Sequence, residues 1–167
     1  MIPPIPPPSH PPAATPATTQ SDLAQRLGPD AVFECAGTLP AVRVPPGEIH
    51  EGCRRLKEAG FDYLLFVTAV DYPQEQRLEL VYALSNFVDG RELGLVSWID
   101  RAAPRVDSVC DLWDTAEWHE REVFDLIGVH FDQHPDLRRI LLDDSWEGHP
   151  LRKDYMDRVH DVVKRPY

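Results

Sequence analysis

Three cysteines in 167 residues are too few for a disulfide scaffold, and their spacing excludes a clustered metal centre. Cys35, Cys53 and Cys110 are odd in number, far apart and without a C-x-x-C pair, so three reduced structural thiols are expected. Basic residues are also scarce. Seventeen Lys and Arg face 28 Asp and Glu, and the net charge of −11 repels phosphate backbones and anionic lipid, which argues against nucleic acid as a partner. No apolar run approaches the roughly 20 residues that cross a bilayer; the longest, Tyr63 to Val70, has eight and includes Thr68. No membrane span is expected. Glycine-rich phosphate loops and internal repeats are absent. The first twenty residues have no basic or apolar leader and no arginine before Arg26, so neither a secretory signal nor a transit peptide is read there. A cytoplasmic chain is expected.

Proline, by contrast, is abundant and unevenly placed: eight of 17 lie in residues 1–20. That head is too proline-rich for helix or sheet, and polyproline II or disorder is expected for it. The remainder suits one domain, residues 21–128, followed by a tail, residues 129–167. Ser21 or Asp22 can cap a short helix through Leu27, before Gly28 and Pro29. Ala31–Ala36 and Ala41–Val44 read as short strands separated by Gly37 to Pro40. Residues 47–59 carry Ile49, Cys53, Leu56 and Ala59 at helical steps, with Gly60 as the stop, and so form a helix with one apolar face.

From Phe61 the period changes to that of strands. Residues 61–72 read as a buried strand; 77–87 alternate Leu78, Leu80, Tyr82 and Leu84; 92–100 repeat the pattern with Leu93, Leu95 and Ser97. The Asp89-Gly90 pair suits a tight hairpin turn, and residues 72–76 a longer one, which gives an antiparallel meander. The fold class is therefore α+β, a two-layer sandwich of helices on a mixed, mainly antiparallel sheet with a long irregular C-terminal tail. Val106 to Trp113 reads as a possible short helix, and Asp114 or Thr115 as the cap of another that ends at Gly128.

This last helix has apolar residues all round. Trp118 and Leu126 fall on one side, Val123 and Ile127 opposite and Phe124 between, with Glu120, Arg121, Glu122 and Asp125 threaded among them. A helix apolar all round is buried all round, and buried carboxylates need partners or cost on the order of several kcal/mol. Glu117 and Arg121 can pair at i, i+4, whereas Glu122 and Asp125 need cations from elsewhere; Arg138, Arg139, Arg152 and Lys153 are the nearest supply. The tail then folds back, or a partner chain brings the charges. On this reading Arg152→Ala or Glu122→Ala strands a buried charge and costs about 3–5 kcal/mol. An ordinary surface helix with solvated charges is the plain alternative.

The same region admits two chemical readings. Close carboxylates can serve general acid–base catalysis, although no nucleophile or phosphate cradle accompanies them. His119, His130, His134 and His149, with Asp132 and Asp136, offer donors for zinc or non-haem iron, although Pro135 and Gly128 oppose a helix that would align His130 with His134. His134 and His149, each directly before a proline, also suit turn residues that donate to backbone carbonyls.

Glu120-Arg121-Glu122, Asp125-Leu126-Ile127, His134, Arg138 and Ile140-Leu141, at these spacings, resemble the signature of the thirty-kilodalton subunit of respiratory complex I, the NADH–quinone oxidoreductase of bacteria. Trp146-Glu147-Gly148-His149-Pro150-Leu151-Arg152-Lys153-Asp154-Tyr155 is similar to that family's second signature stretch. The resemblance implies a cofactor-free subunit of the peripheral arm of a proton-translocating enzyme, on the cytoplasmic side of the cell membrane. FMN and iron–sulfur clusters would lie in partner subunits, and NADH and quinone would be substrates of the whole. Its implied partners are the quinone-pocket subunit and the subunit with the terminal iron–sulfur cluster. No catalytic, cofactor-binding or metal-ligating residue is implied here. Trp118, Glu120, Arg121, Glu122, Asp125, Phe131, His134, Arg138, Arg139, Trp146, His149, Arg152, Asp154 and Tyr155 would carry packing and interface contacts. The same role in a cyanobacterial, deazaflavin-linked or hydrogenase complex, a stand-alone metal-dependent enzyme and an acidic binding module are the alternatives. Met156 and Asp114 stand where the family commonly has proline.

Overall fold

The structure is a computed structural model that describes Leu23 and residues 26–156. The proline-rich head, most of the first expected helix and the end of the tail lie outside the described residues; Leu23 and Leu27 are helical and buried.

Five strands form one sheet in the order β1-β2-β5-β4-β3: β1 Val32–Ala36, β2 Leu39–Arg43, β3 Tyr63–Tyr72, β4 Arg77–Ser85 and β5 Glu92–Asp100. All neighbours are antiparallel except β2 and β5, which run parallel with Val42 opposite Leu95. The sheet is thus mixed and mainly antiparallel, as the period-two pattern requires. Pro40 lies inside β2 rather than in the turn. It is tolerated because the β5 ladder begins only at Ala41, so no bond is lost on that side.

Helix α1, Ile49–Glu58, follows one 3-10 turn at Pro46–Glu48 and buries Ile49, Cys53 and Leu56 against the sheet. Gly52 permits the approach, since a Cβ there would stand 2.8 Å from Leu95 Cδ1. Helix α2, Ala116–Ile127, covers β3 on the same face. The core between the layers holds the inward Leu78, Leu80, Tyr82 and Leu84 of β4, all fully buried.

Five local expectations are corrected. Residues 61–72 are not buried on both faces: β3 is an edge strand, with Leu64, Val67, Ala69 and Asp71 inward and Tyr63, Phe66 and Val70 exposed. The β4–β5 connection is a longer loop closed by Asn86, whose Oδ1 accepts the N–H groups of Val88 and Asp89 at 2.8 and 3.2 Å. A two-residue type I′ turn would need both central residues left-handed, and in this loop only Gly90 has positive φ. Residues 106–113 form no helix. Strand β6, Arg105–Asp107, pairs in parallel with β7, His130–Asp132, so part of the tail is regular. Finally, neither Asp114 nor Thr115 caps α2 through its side chain; backbone carbonyls of the preceding turns accept the first N–H groups, as Trp113 does for Ala116 at 2.9 Å.

Candidate functional site

Helix α2 is buried on every side but one. Glu120, Arg121, Val123, Asp125 and Ile127 are buried, while Trp118 is 59% exposed and Glu122, one turn on, is also exposed. Burial all round is therefore corrected, and Glu122 needs no cation because water solvates it. The polypeptide after β7 wraps the other sides.

Asp125 is the centre of this wrapping. Its side chain is fully buried; Oδ1 accepts Arg139 Nη1 at 2.7 Å, and Oδ2 accepts the consecutive N–H groups of Ile140, Leu141 and Leu142 at 3.0, 2.8 and 3.0 Å. Burial pushes its pKa up, but these donors outweigh burial and hold the carboxyl below the usual range. A carboxylate so engaged is no general acid, which removes Asp125 from the acid–base reading. Arg139 goes on to donate to the carbonyls of Trp146 and Gly148 at 3.1 and 3.3 Å.

The tail also terminates α2. The carbonyls of Asp125, Leu126 and Ile127 would be orphaned at the helix end. They accept His149 Nδ1 at 3.0 Å, the Leu151 N–H at 3.0 Å and Arg152 Nε at 2.7 Å. Arg152 is thus a cap placed favourably on the helix dipole, and not the partner of a buried carboxylate. Burial lowers the His149 pKa, consistent with a neutral ring. That ring lies on Gly128, where φ is +84° and a Cβ would come within 2.4 Å of Nε2.

Arg121 does not pair with Glu117. Its Nε donates to the Arg138 carbonyl at 3.2 Å and its guanidinium faces the Trp118 ring at 5.2 Å. Arg138 itself is exposed and pairs with Asp136 at 2.8 Å instead of reaching α2. His134 Nε2 donates to the Glu117 carbonyl at 3.1 Å, and its Nδ1 accepts the Asp136 N–H at 3.0 Å. Phe131 is buried at the centre of β7, and Trp146 is half-buried beside Arg139. Tyr155 lies against Gly148, where a Cβ would stand 3.1 Å from its ring.

Glu120 is satisfied without a cation. Oε1 accepts the Val109 N–H at 2.8 Å, and Oε2 accepts the Ser108 hydroxyl at 2.6 Å and the Cys110 thiol at 3.4 Å. Burial is the main cause that raises its pKa. These bonds also draw residues 108–110 away from helical geometry, which is why no helix forms there. The metal set weighed as an alternative does not converge: His134 and His149 are turned to carbonyls, and Asp132 is bound by Arg105 at 2.7 Å. Cys110, Glu120 and His134 do bring ligand atoms within 4.8 Å of one another. Each of those residues is engaged by a protein partner, and burial pushes the Cys110 thiol up to about 12, so the donor set is closed as it stands.

Sequence reasoning missed a second anchor. Asp71, buried at the inward end of β3, accepts Arg101 Nε at 2.6 Å and the Lys153 N–H at 2.9 Å, while Arg101 also reaches Asp154 at 2.5 Å. The available signal was a carboxylate in phase with Leu64, Val67 and Ala69 on an inward face.

Residues 42–160 match the family described as the 30 Kd subunit of respiratory-chain NADH dehydrogenase. A protein of Moorella thermoacetica, named as a subunit of NADH-quinone oxidoreductase, is 45% identical over 132 residues, 78% of this chain and 89% of that one. One of the same name from Geobacter sulfurreducens is 46% identical over 117 residues, 68% and 72% of the two chains. Among solved structures, the trypsin-resistant fragment (1-134) of Nqo5 is 31% identical with a TM-score of 0.59, over 64% of this chain and 89% of that one. A chain of the membrane-bound sulfane sulfur reductase, an archaeal respiratory membrane complex, is 30% identical with a TM-score of 0.66, over 83% and 92%.

Proposed function

Because the chain belongs to the family of the 30 kDa subunit of respiratory-chain NADH dehydrogenase, we propose that it braces the peripheral arm of a complex I-type NADH–quinone oxidoreductase. It is a subunit of that enzyme, and membrane attachment and proton translocation are properties of the whole. In this reading residues 21–128 form the docking domain and residues 129–167 the interaction tail. FMN and iron–sulfur clusters belong to partner subunits, and this chain holds none. The quinone-pocket subunit and the subunit with the terminal cluster are its neighbours, on the cytoplasmic side of the membrane. No helix among the described residues is long and apolar enough to cross a membrane, which suits a peripheral place.

The observation that carries the reading is the tail laid over α2. Arg139, His149, Leu151 and Arg152 spend their donors on Asp125 and on the helix carbonyls, while Trp118, Leu141 and Leu151 remain 59%, 60% and 58% exposed. The polar side chains hold the tail in place, and the apolar ones are left for another chain. The test is a pull-down of the tagged chain from gently solubilised membranes, with partners identified by mass and iron assayed. Iron–sulfur and quinone-pocket subunits are expected with the wild type, and less of them with Trp118→Ala. Recovery of the chain alone, carrying bound metal, would sink the reading.

A further inference from the structure

The two helices pack on one face of the five-stranded sheet, and the opposite face carries a small buried cluster of its own, Ala41, Val81 and Val96, among more exposed side chains. Outward side chains there include Val32, Tyr63, Phe66, Val70 and Trp98, each between 37% and 50% exposed. A groove of about 520 Å³ lies on this face, lined by Leu39, Phe66, Val70, Tyr72, Val81 and Ala83, with the carboxylates of Glu79 and Glu92 among its lining. Beside it Trp98 is sandwiched between two guanidinium groups, Arg43 at 3.9 Å and Arg77 at 3.6 Å from its centroid; Arg77 also faces Tyr72 at 5.2 Å. The arginines are neutralised in turn, Arg43 by Glu34 at 3.1 Å and Arg77 by Glu75 at 2.7 Å. The face is apolar and aromatic, and much of its charge is paired within it.

We propose that this outer face is the docking surface for the chain's own residues 1–20, which lie outside the described part. Three observations converge on that occupant. The segment holds eight prolines and no acidic or basic side chain other than His10, so it brings no carboxylate that Glu79 and Glu92 of the groove would repel. Proline-rich segments are recognised by aromatic-lined grooves because extended polyproline II geometry exposes their rings and costs little entropy on binding. The connection is also favourable. After Leu23 and Arg26 the chain runs directly into β1, an edge strand, so an incoming segment need only round that edge to reach the outer face. Crossing from β1 to β4 takes three strand spacings of about 4.8 Å, whereas twenty residues at about 3.1 Å each extend roughly 60 Å.

The test uses the full chain with a photoreactive benzophenone amino acid in place of Phe66 and, separately, of Tyr63. After irradiation and proteolysis, cross-links from either position to residues 1–20 are expected. The same group at Glu122, on the helical layer, is expected to give none. An excess of synthetic peptide with the sequence of residues 1–20 should lower the yield by competition. No cross-link to residues 1–20, an equal yield from position 122, or a yield unmoved by the peptide overturns the proposal. So does capture of another subunit in place of residues 1–20 when the labelled chain is assembled into its complex.

Discussion

Arg139 Nη1 and Asp125 Oδ1 meet at 2.7 Å inside the turn that closes over α2, a pair between a half-buried guanidinium and a fully buried carboxylate. Both ends of the pair are also tied to backbone, Asp125 to three successive N–H groups and Arg139 to two tail carbonyls. Helix and tail are therefore parts of one polar network.

Removing the acid from that network is expected to be severe. Asp125→Ala leaves a half-buried guanidinium without its counter-charge and three N–H groups unpaired, a loss of about 3–5 kcal/mol. Urea unfolding of the isolated chain measures it. A loss under about 1 kcal/mol would mean that the tail is released into water at little cost.

Glu122 and Arg152 separate a charge-pair account from a capping account. Glu122 is exposed, so Glu122→Ala is expected to change stability by no more than about 0.5 kcal/mol. Arg152→Ala removes a charged bond to the Ile127 carbonyl, worth about 1.5–3 kcal/mol. Hydrogen exchange should locate the damage at the end of α2 and in residues 149–152. Uniform loss of protection across the chain would contradict a local cap.

Gly128 has two reasons to be glycine. An alanine there would take a left-handed φ at about 1–2 kcal/mol, and its Cβ would strike His149 Nε2 at 2.4 Å and push the ring off the Asp125 carbonyl. At Gly90, φ is +71° and nothing lies within 4 Å, so only the backbone cost applies. Gly128→Ala is expected to destabilise clearly more than Gly90→Ala in the same denaturation assay. Equal losses would show that the His149 ring yields freely.

These sites differ in how far the sequence announced them. The alternation of Leu78, Leu80, Tyr82 and Leu84 is a local signal, and the strand followed from it because every second side chain had to face the core. Helix α1 was legible for the same reason. The tail has no period to read: its partners are main-chain carbonyls of α2, and a carbonyl leaves no mark on residue identity. Its arginines were visible as donors and a fold-back was expected, but which of them meets Asp125 and which the Ile127 carbonyl depends on the path the tail takes. Glu120 carries no mark of its partners either: Ser108, Val109 and Cys110 answer it with neutral donors, where cations were sought only for Glu122 and Asp125.

Glu120 and Asp125, two acids on one helix, should impose opposite pH dependences. A glutamic acid in the unfolded chain titrates near 4.3, and burial lifts Glu120 above that. Between the two values the folded chain holds a proton that the unfolded chain has lost, so this contribution makes stability fall as pH rises through the window. Asp125 is held below its unfolded value of about 3.9; its stabilisation is complete above that value and is lost as pH falls through the folded one. Glu120→Gln keeps an acceptor for the Val109 N–H and abolishes the first effect alone. Subtracting urea stabilities of the two proteins from pH 3 to 8 cancels Asp125 and also His149, whose lowered pKa is common to both. The Cys110 thiol, pushed up to about 12, stays protonated throughout. The variant is expected to gain on the wild type as pH rises above about 4.3, by up to about 1.4 kcal/mol for each unit of lift. A difference that stays flat across the range would mean that Glu120 ionises as easily inside the fold as outside it.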